Sequence, residues 1–178
     1  MLAVESLEEI GARLEDERSS AQFHHACCRL DGHDFTVQVV LDSHLFAIGS
    51  GLEAGDGVVV ADLETLMKMK AATLVSRASD KDLYDLGWLF EQDERVDAPR
   101  LIELGQEVDA GMNGESVLFS LVGTEMQESA CDFSRAEGPK EVFARVGRVR
   151  KGLIQGMESY LRSQPAPPIA ALIRRLRG

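Results

Sequence analysis

Lys70 and Arg77 lie on the apolar stripe of a helix, and this placement constrains the fold more than any other feature of the chain. On a helical wheel, Leu63, Met67 and Leu74 define an inward face. Lys70 falls on that face and Arg77 nearly in line with it, whereas Lys68 points well away and reads as a surface residue. Cations on an apolar stripe are costly unless paired. The next helical run supplies carboxylates. Asp82 and Asp85 are i,i+3 neighbours flanking a stripe of Leu83, Leu86, Leu89 and Phe90. A short turn at Ala78–Ser79 would close an antiparallel helical hairpin in which the two charge sets meet. Such a cluster reads in two ways. It is a structural ion-pair network, favoured because Asp80, Asp82 and Asp85 lie in or near a first helical turn. Or it is a phosphate-binding lysine with positioned carboxylates at the edge of a site.

The remaining sequence divides into recognisable elements. Leu7, Ile10 and Leu14 recur at helical spacing and predict a first helix from about Val4 to Arg18. Phe23–Leu30 and Phe35–Leu41 read as strands joined by Asp31-Gly32-His33-Asp34, in which Asp-Gly is a hairpin signal. Ala47–Gly57 is glycine-rich, with Gly49–Gly57 read as a loop, and Val58–Val60 is a short strand. Asp62 can cap a helix from Leu63 to about Ser76, and Ser79 or Asp80 another to about Phe90. Pro99 suits the first turn of a helix reaching about Val108. Glu115–Val122 is a short apolar helix or strand, and Gly123–Gly138 has no clear pattern. Pro139 opens the longest helix, to about Arg162, with Val142, Val146, Val149, Leu153, Met157 and Tyr160 as its seam. That seam is core, or a surface for a second copy of the chain. These elements predict an α+β fold: a small, mostly antiparallel sheet with helices in residues 1–96, and a helical region in residues 97–178.

Charge narrows the function classes. The 178 residues carry 19 Lys and Arg against 30 Asp and Glu, a net charge of −11. From Arg145 onward eight basic residues face one acid, so the last 34 residues carry +7 and the rest −18. An acidic body is not a nucleic-acid or membrane-surface binder by default, and any nucleic-acid contact would be weak and through the basic tail. No run approaches the roughly 20 apolar residues of a membrane span, and the acidic N-terminus is unlike a signal or transit peptide. Cys27, Cys28 and Cys131 make no disulfide framework, which points to a reducing, cytoplasmic setting. His24, His25, Cys27, Cys28, His33 and His44 invite a zinc site, but alternation along a strand sends His24 and Cys28 to one face and His25 and Cys27 to the other.

The stretch Leu63–Glu91 resembles the C-terminal signature of the AbiEii/AbiGii abortive-infection nucleotidyltransferase toxin family. Lys70, Leu74, Arg77, Lys81, Asp82, Tyr84, Asp85 and Leu86 fall at the matching spacings. Thr73 stands where Ala is usual, and Lys81 where Arg is usual. The preceding strands and following helices fit the family's general order.

The resemblance implies a nucleotidyltransferase core that moves a nucleoside monophosphate from an NTP to an acceptor with Mg²⁺. It places Lys70 on the triphosphate, with Arg77 and Lys81 as support, and gives Asp82 and Asp85 the catalytic or metal-positioning role. The family's metal carboxylates follow a Gly-Ser or Gly-Gly turn as an Asp-x-Asp or Asp-x-Glu pair. Here Gly49-Ser50 leads only to Asp56-Gly57-Val58. Asp42, at a strand end, is the one candidate for a further metal carboxylate. The implied protein is a member truncated at its N-terminus and inactive in transfer, with a nucleotide, a second copy through its helices, or an antitoxin as partner. The alternative is a non-catalytic interaction or self-association protein that keeps the same residues as a structural network.

Overall fold

In a computed structural model, residues 7–40, 48–53, 58–134 and 136–165 are described. The fold is α+β, and contacts divide the chain into two compact units, residues 1–47 and 48–178.

The first unit is an antiparallel meander of β1 (Arg13–Ser19), β2 (Phe23–Leu30) and β3 (His33–Val40), in the order β1-β2-β3. The expected hairpin is present, but its turn is two residues and not the four of Asp31–Asp34, because His33 pairs with Leu30 and Asp34 with Arg29 as part of β3. Asp31 and Gly32 both take positive φ, 52° and 79°, the conformation in which Asp-Gly turns match the twist of the flanking strands. Alternation sends Ala26 and Cys28 to a buried face, and burial raises the Cys28 pKa. On the other face Arg29 pairs with Asp34 at 2.6 Å and with Glu15 at 3.4 Å.

The first helix is a correction. Only residues 7–9 are helical in the described part of Val4–Arg18, and Arg13–Ser19 is a strand. Its sequence, RLEDERS, has no alternating apolar residues and is almost wholly exposed. Pairing with β2 decides its state, and a bulge between Leu14 and Asp16 lets it keep register.

The second unit opens with a two-stranded ribbon, β4 (Gly51–Glu53) and β5 (Val59–Ala61). Gly51–Glu53 therefore corrects the reading of Gly49–Gly57 as loop throughout. Helices follow: α1 (Leu63–Ser76), α2 (Asp80–Gln92), α3 (Ala98–Gln106) and α4 (Gly114–Gly123). A 3-10 turn at Glu128–Cys131 and α5 (Pro139–Ser163) complete the described part. Asp62 and Ser79 are the caps expected from the sequence, and Asp97 and Asn113 join them. Asp62, Ser79, Asp97 and Asn113 each accept a backbone N–H of the first turn they precede.

These helices share one core, in which Leu74, Leu83, Leu86, Leu101, Leu121, Val142, Val146 and Met157 are fully buried. The α5 seam packs within the chain, against α2 and α4. Arg150 of α5 donates from Nε to the carbonyl of Leu121, and from guanidinium Nη2 to those of Val122 and Thr124. It thus serves as a cap for α4, whose last carbonyls have no partner within the helix. At Gly105, α3 comes close to α1: a Cβ there would meet the sulfur of Met112 and crowd Ala71.

Three wheel assignments on α1 change. Arg77 is not on the inward stripe: α1 ends at Ser76, so Arg77 is an extended cap residue with its side chain 69% exposed. Leu63 is 48% exposed, because the first residue of the helix lies at the edge of the packing. Lys68 is buried, not on the surface. The α3 side covers that flank, and Lys68 pairs with Glu64 at 3.0 Å and with Glu107 at 2.7 Å.

Candidate functional site

The α1–α2 hairpin forms as its sequence requires. Asp62 starts α1, which ends at Ser76 with Arg77 as an extended cap residue. Ser79 then starts α2, so only residues 77–79 separate the two helices. This short turn brings Lys70, Arg77, Asp82 and Asp85 together.

Asp82 is the hub. Its side chain is only 4% exposed, yet both oxygens are engaged. Oδ1 accepts from Lys70 Nζ at 3.2 Å. Oδ2 accepts from Ser79 Oγ at 2.5 Å and pairs with Arg77 Nε at 3.2 Å. The Ser79 hydroxyl also accepts the Asp82 backbone N–H, so cap and hub lock each other. Lys70 Nζ pairs again with Asp85 Oδ2, at 2.6 Å. Thr73 turns its hydroxyl back to the Lys70 carbonyl at 2.8 Å, so it stays on its own helix.

The electrostatics follow. Burial opposes the charge of Lys70, but pairing with Asp85 and Asp82 outweighs it and raises the pKa. Burial likewise opposes the charge of Asp82, but hydrogen bonds from Ser79 and Lys70, with the charges of Lys70 and Arg77, hold its pKa below the usual carboxylate value. Both groups are charged at neutral pH.

The other signature residues separate by role. Leu74 and Leu86 are buried core. Lys81 is exposed on the first turn of α2 and joins no ion pair among the described residues. Tyr84 packs edge-on against Phe133, lies beneath the Arg145 guanidinium at 5.1 Å, and meets Ser134 Oγ at 3.4 Å. Arg145, which single-helix periodicity does not flag, bridges Glu91 and Glu137 at 2.7 and 2.8 Å. Asp42 lies outside the described residues.

Beside the ion cluster is a slot of about 250 Å³ lined by Leu66, Lys70, Tyr84, Asp85, Trp88 and Leu89. Arg77 lines a second opening of about 580 Å³ at the hairpin turn, with Phe119 and Asp80 among its walls.

The cluster does not fit Mg²⁺. Asp82 has both oxygens committed to cations and a hydroxyl, and Asp85 lies against an ammonium that would repel a dication. Among the described residues, no three His, Cys, Asp or Glu side chains converge to hold a metal ion. What the arrangement can do is hold Lys70 between two carboxylates and keep an exposed Arg77 beside Asp82, each cation at the rim of an opening. No protein-family model, curated protein or solved structure matches the chain.

Proposed function

We propose that the chain is a nucleotidyltransferase-like protein of the abortive-infection toxin type whose α1–α2 hairpin binds a nucleotide and does not by itself carry out transfer. The observation behind this reading is the convergence of Lys70, Arg77, Asp82 and Asp85, four of the residues that carry the resemblance, in one network. In this reading Asp82 is a positioning residue that fixes both cations. Lys70 has a third N–H with no partner among the described residues, and the terminal amino groups of Arg77 are likewise uncommitted. These donors face the triphosphate, and Lys81 adds charge nearby. No metal step is assigned to Asp82 or Asp85.

The test is thermal unfolding in the presence of each of the four NTPs with Mg²⁺. A ligand at 100 times its Kd stabilises by about 2.7 kcal/mol. At least one NTP should raise the unfolding temperature, and Lys70→Ala should abolish that rise. No shift with any NTP would overturn the reading.

A second reading, a non-catalytic interaction protein, is favoured by the internal saturation of Asp82 and by Phe119, which is 82% exposed on α4. It predicts an unchanged unfolding temperature with every NTP.

A further inference from the structure

The slot beside Lys70 has features that the ion cluster does not explain. Its walls come from two helices of one hairpin: Leu66 and Lys70 from α1, and Tyr84, Asp85, Trp88 and Leu89 from α2. Trp88 is the only tryptophan of the chain and remains 45% exposed, although its neighbours Gly87 and Leu89 are buried. Scattered exposed apolar residues are ordinary, but this one forms a wall of a slot with Leu66 and Leu89. The remaining edge is polar. Asp85 spends Oδ2 on Lys70, and its Oδ1 has no hydrogen-bond partner among the described residues. A carboxylate with one uncommitted oxygen thus borders an apolar slot with an indole on one side. Its volume, about 250 Å³, is below the roughly 300 Å³ where drug-sized pockets begin, so it suits one planar ring system and not a whole triphosphate.

We infer that this slot takes the base of the bound nucleotide, with Trp88 as the stacking surface and Asp85 Oδ1 as acceptor for a ring or exocyclic N–H. The inference rests on the nucleotide reading above and adds where the base lies. The chemistry is that of base recognition in general: every base has a π face, and stacking on an aromatic side chain contributes without regard to sequence. The carboxylate adds a preference for bases that present N–H groups on an edge, as cytosine does with its amino group and adenine with its own. The phosphates lie on the solvent side of Lys70, toward its third N–H.

Because Trp88 is the single tryptophan, its fluorescence reports on the slot directly. The experiment titrates the full chain with the four nucleosides, the four NTPs and inorganic triphosphate, following Trp88 emission and thermal unfolding together. Nucleosides and NTPs should change the emission, and triphosphate alone should not. Trp88→Leu, which keeps the apolar wall, should weaken NTP binding by about tenfold, the scale of one lost base stack. It should leave triphosphate binding unchanged. Asp85→Asn should alter the ranking among the four bases. If NTPs raise the unfolding temperature but leave emission unmoved and Trp88→Leu binds them equally well, the base lies elsewhere and only this inference fails. If no nucleotide moves either signal, the nucleotide reading fails with it.

Discussion

Lys68 of α1 reaches Glu107, just beyond α3, at 2.7 Å, with a side chain only 10% exposed. It also pairs with Glu64 on its own helix. Pairing with both glutamates raises the Lys68 pKa above its ordinary value despite opposing burial. Its aliphatic stem covers apolar surface while its head stays between two acids, as long cationic side chains do at helix edges. Lys68→Ala should therefore cost more than Lys68→Met, which keeps the stem. We expect about 1–2 kcal/mol for alanine and less than half of that for methionine, read from urea midpoints at neutral pH.

Asp82 makes the hairpin sensitive to acid. Its pKa is lower in the folded chain than in the unfolded one, so the stability it contributes is complete above the unfolded value and is lost as pH falls through the folded one. Lys70 has the opposite sign: its raised pKa gives stability that is complete below the ordinary lysine value of 10.5 and is lost as pH rises through the folded value. Asp82→Asn leaves Lys70 with only Asp85 and should destabilise by about 3 kcal/mol near neutral pH. The difference from the native chain should shrink below the ordinary carboxylate value of 3.8. Urea titrations across pH would show this convergence, and a gap independent of pH would exclude it.

Ser79 does two jobs with one hydroxyl, accepting the Asp82 N–H and donating to the Asp82 carboxylate. Ser79→Ala should cost about 1–2 kcal/mol, toward the upper end for a lost helix cap, because the hub carboxylate loses a donor as well. Combined with Asp82→Asn the losses should fall short of the sum, which a double-mutant cycle would measure.

Gly105 allows α3 to approach Met112 and Ala71. Alanine has the better helix propensity by about 1 kcal/mol, yet Gly105→Ala should destabilise by about 1–3 kcal/mol through overpacking. Met112→Ala in the same chain should relieve part of that crowding, so coupling between the two sites is the decisive reading.

At the hairpin turn, Gly32 holds φ at 79°. Gly32→Ala should cost about 1 kcal/mol, whereas Asp31→Gly should be tolerated. Amide hydrogen exchange in β2 and β3 would show the loss locally.

Much of the helical unit was legible because its signals are local. Asp62, Ser79 and Pro139 mark helix starts by chemistry that acts within one turn, and α1, α2 and α5 begin where those residues indicate. The same holds for the cluster: Lys70 and Asp82 were readable as partners because a three-residue turn leaves the two helices little choice. The errors lie where a neighbour far along the chain decides. Arg13–Ser19 is a strand only because β2 pairs with it. Lys68 is buried because α3 covers a second flank of α1, and a single-face wheel has no place for that flank. Trp88 escaped notice as a site residue because its slot exists only once α1 supplies Leu66 and Lys70 as the opposite wall.

The guanidinium of Arg150 ends a helix to which it does not belong. Most helix ends fray independently of their neighbours, since their caps are local. Here release of the last carbonyls of α4 also breaks the hydrogen bonds that tie them to a side chain of α5. Fraying at the end of α4 is thereby coupled to the longest described helix, and Phe119 lies exposed on the helix so tied.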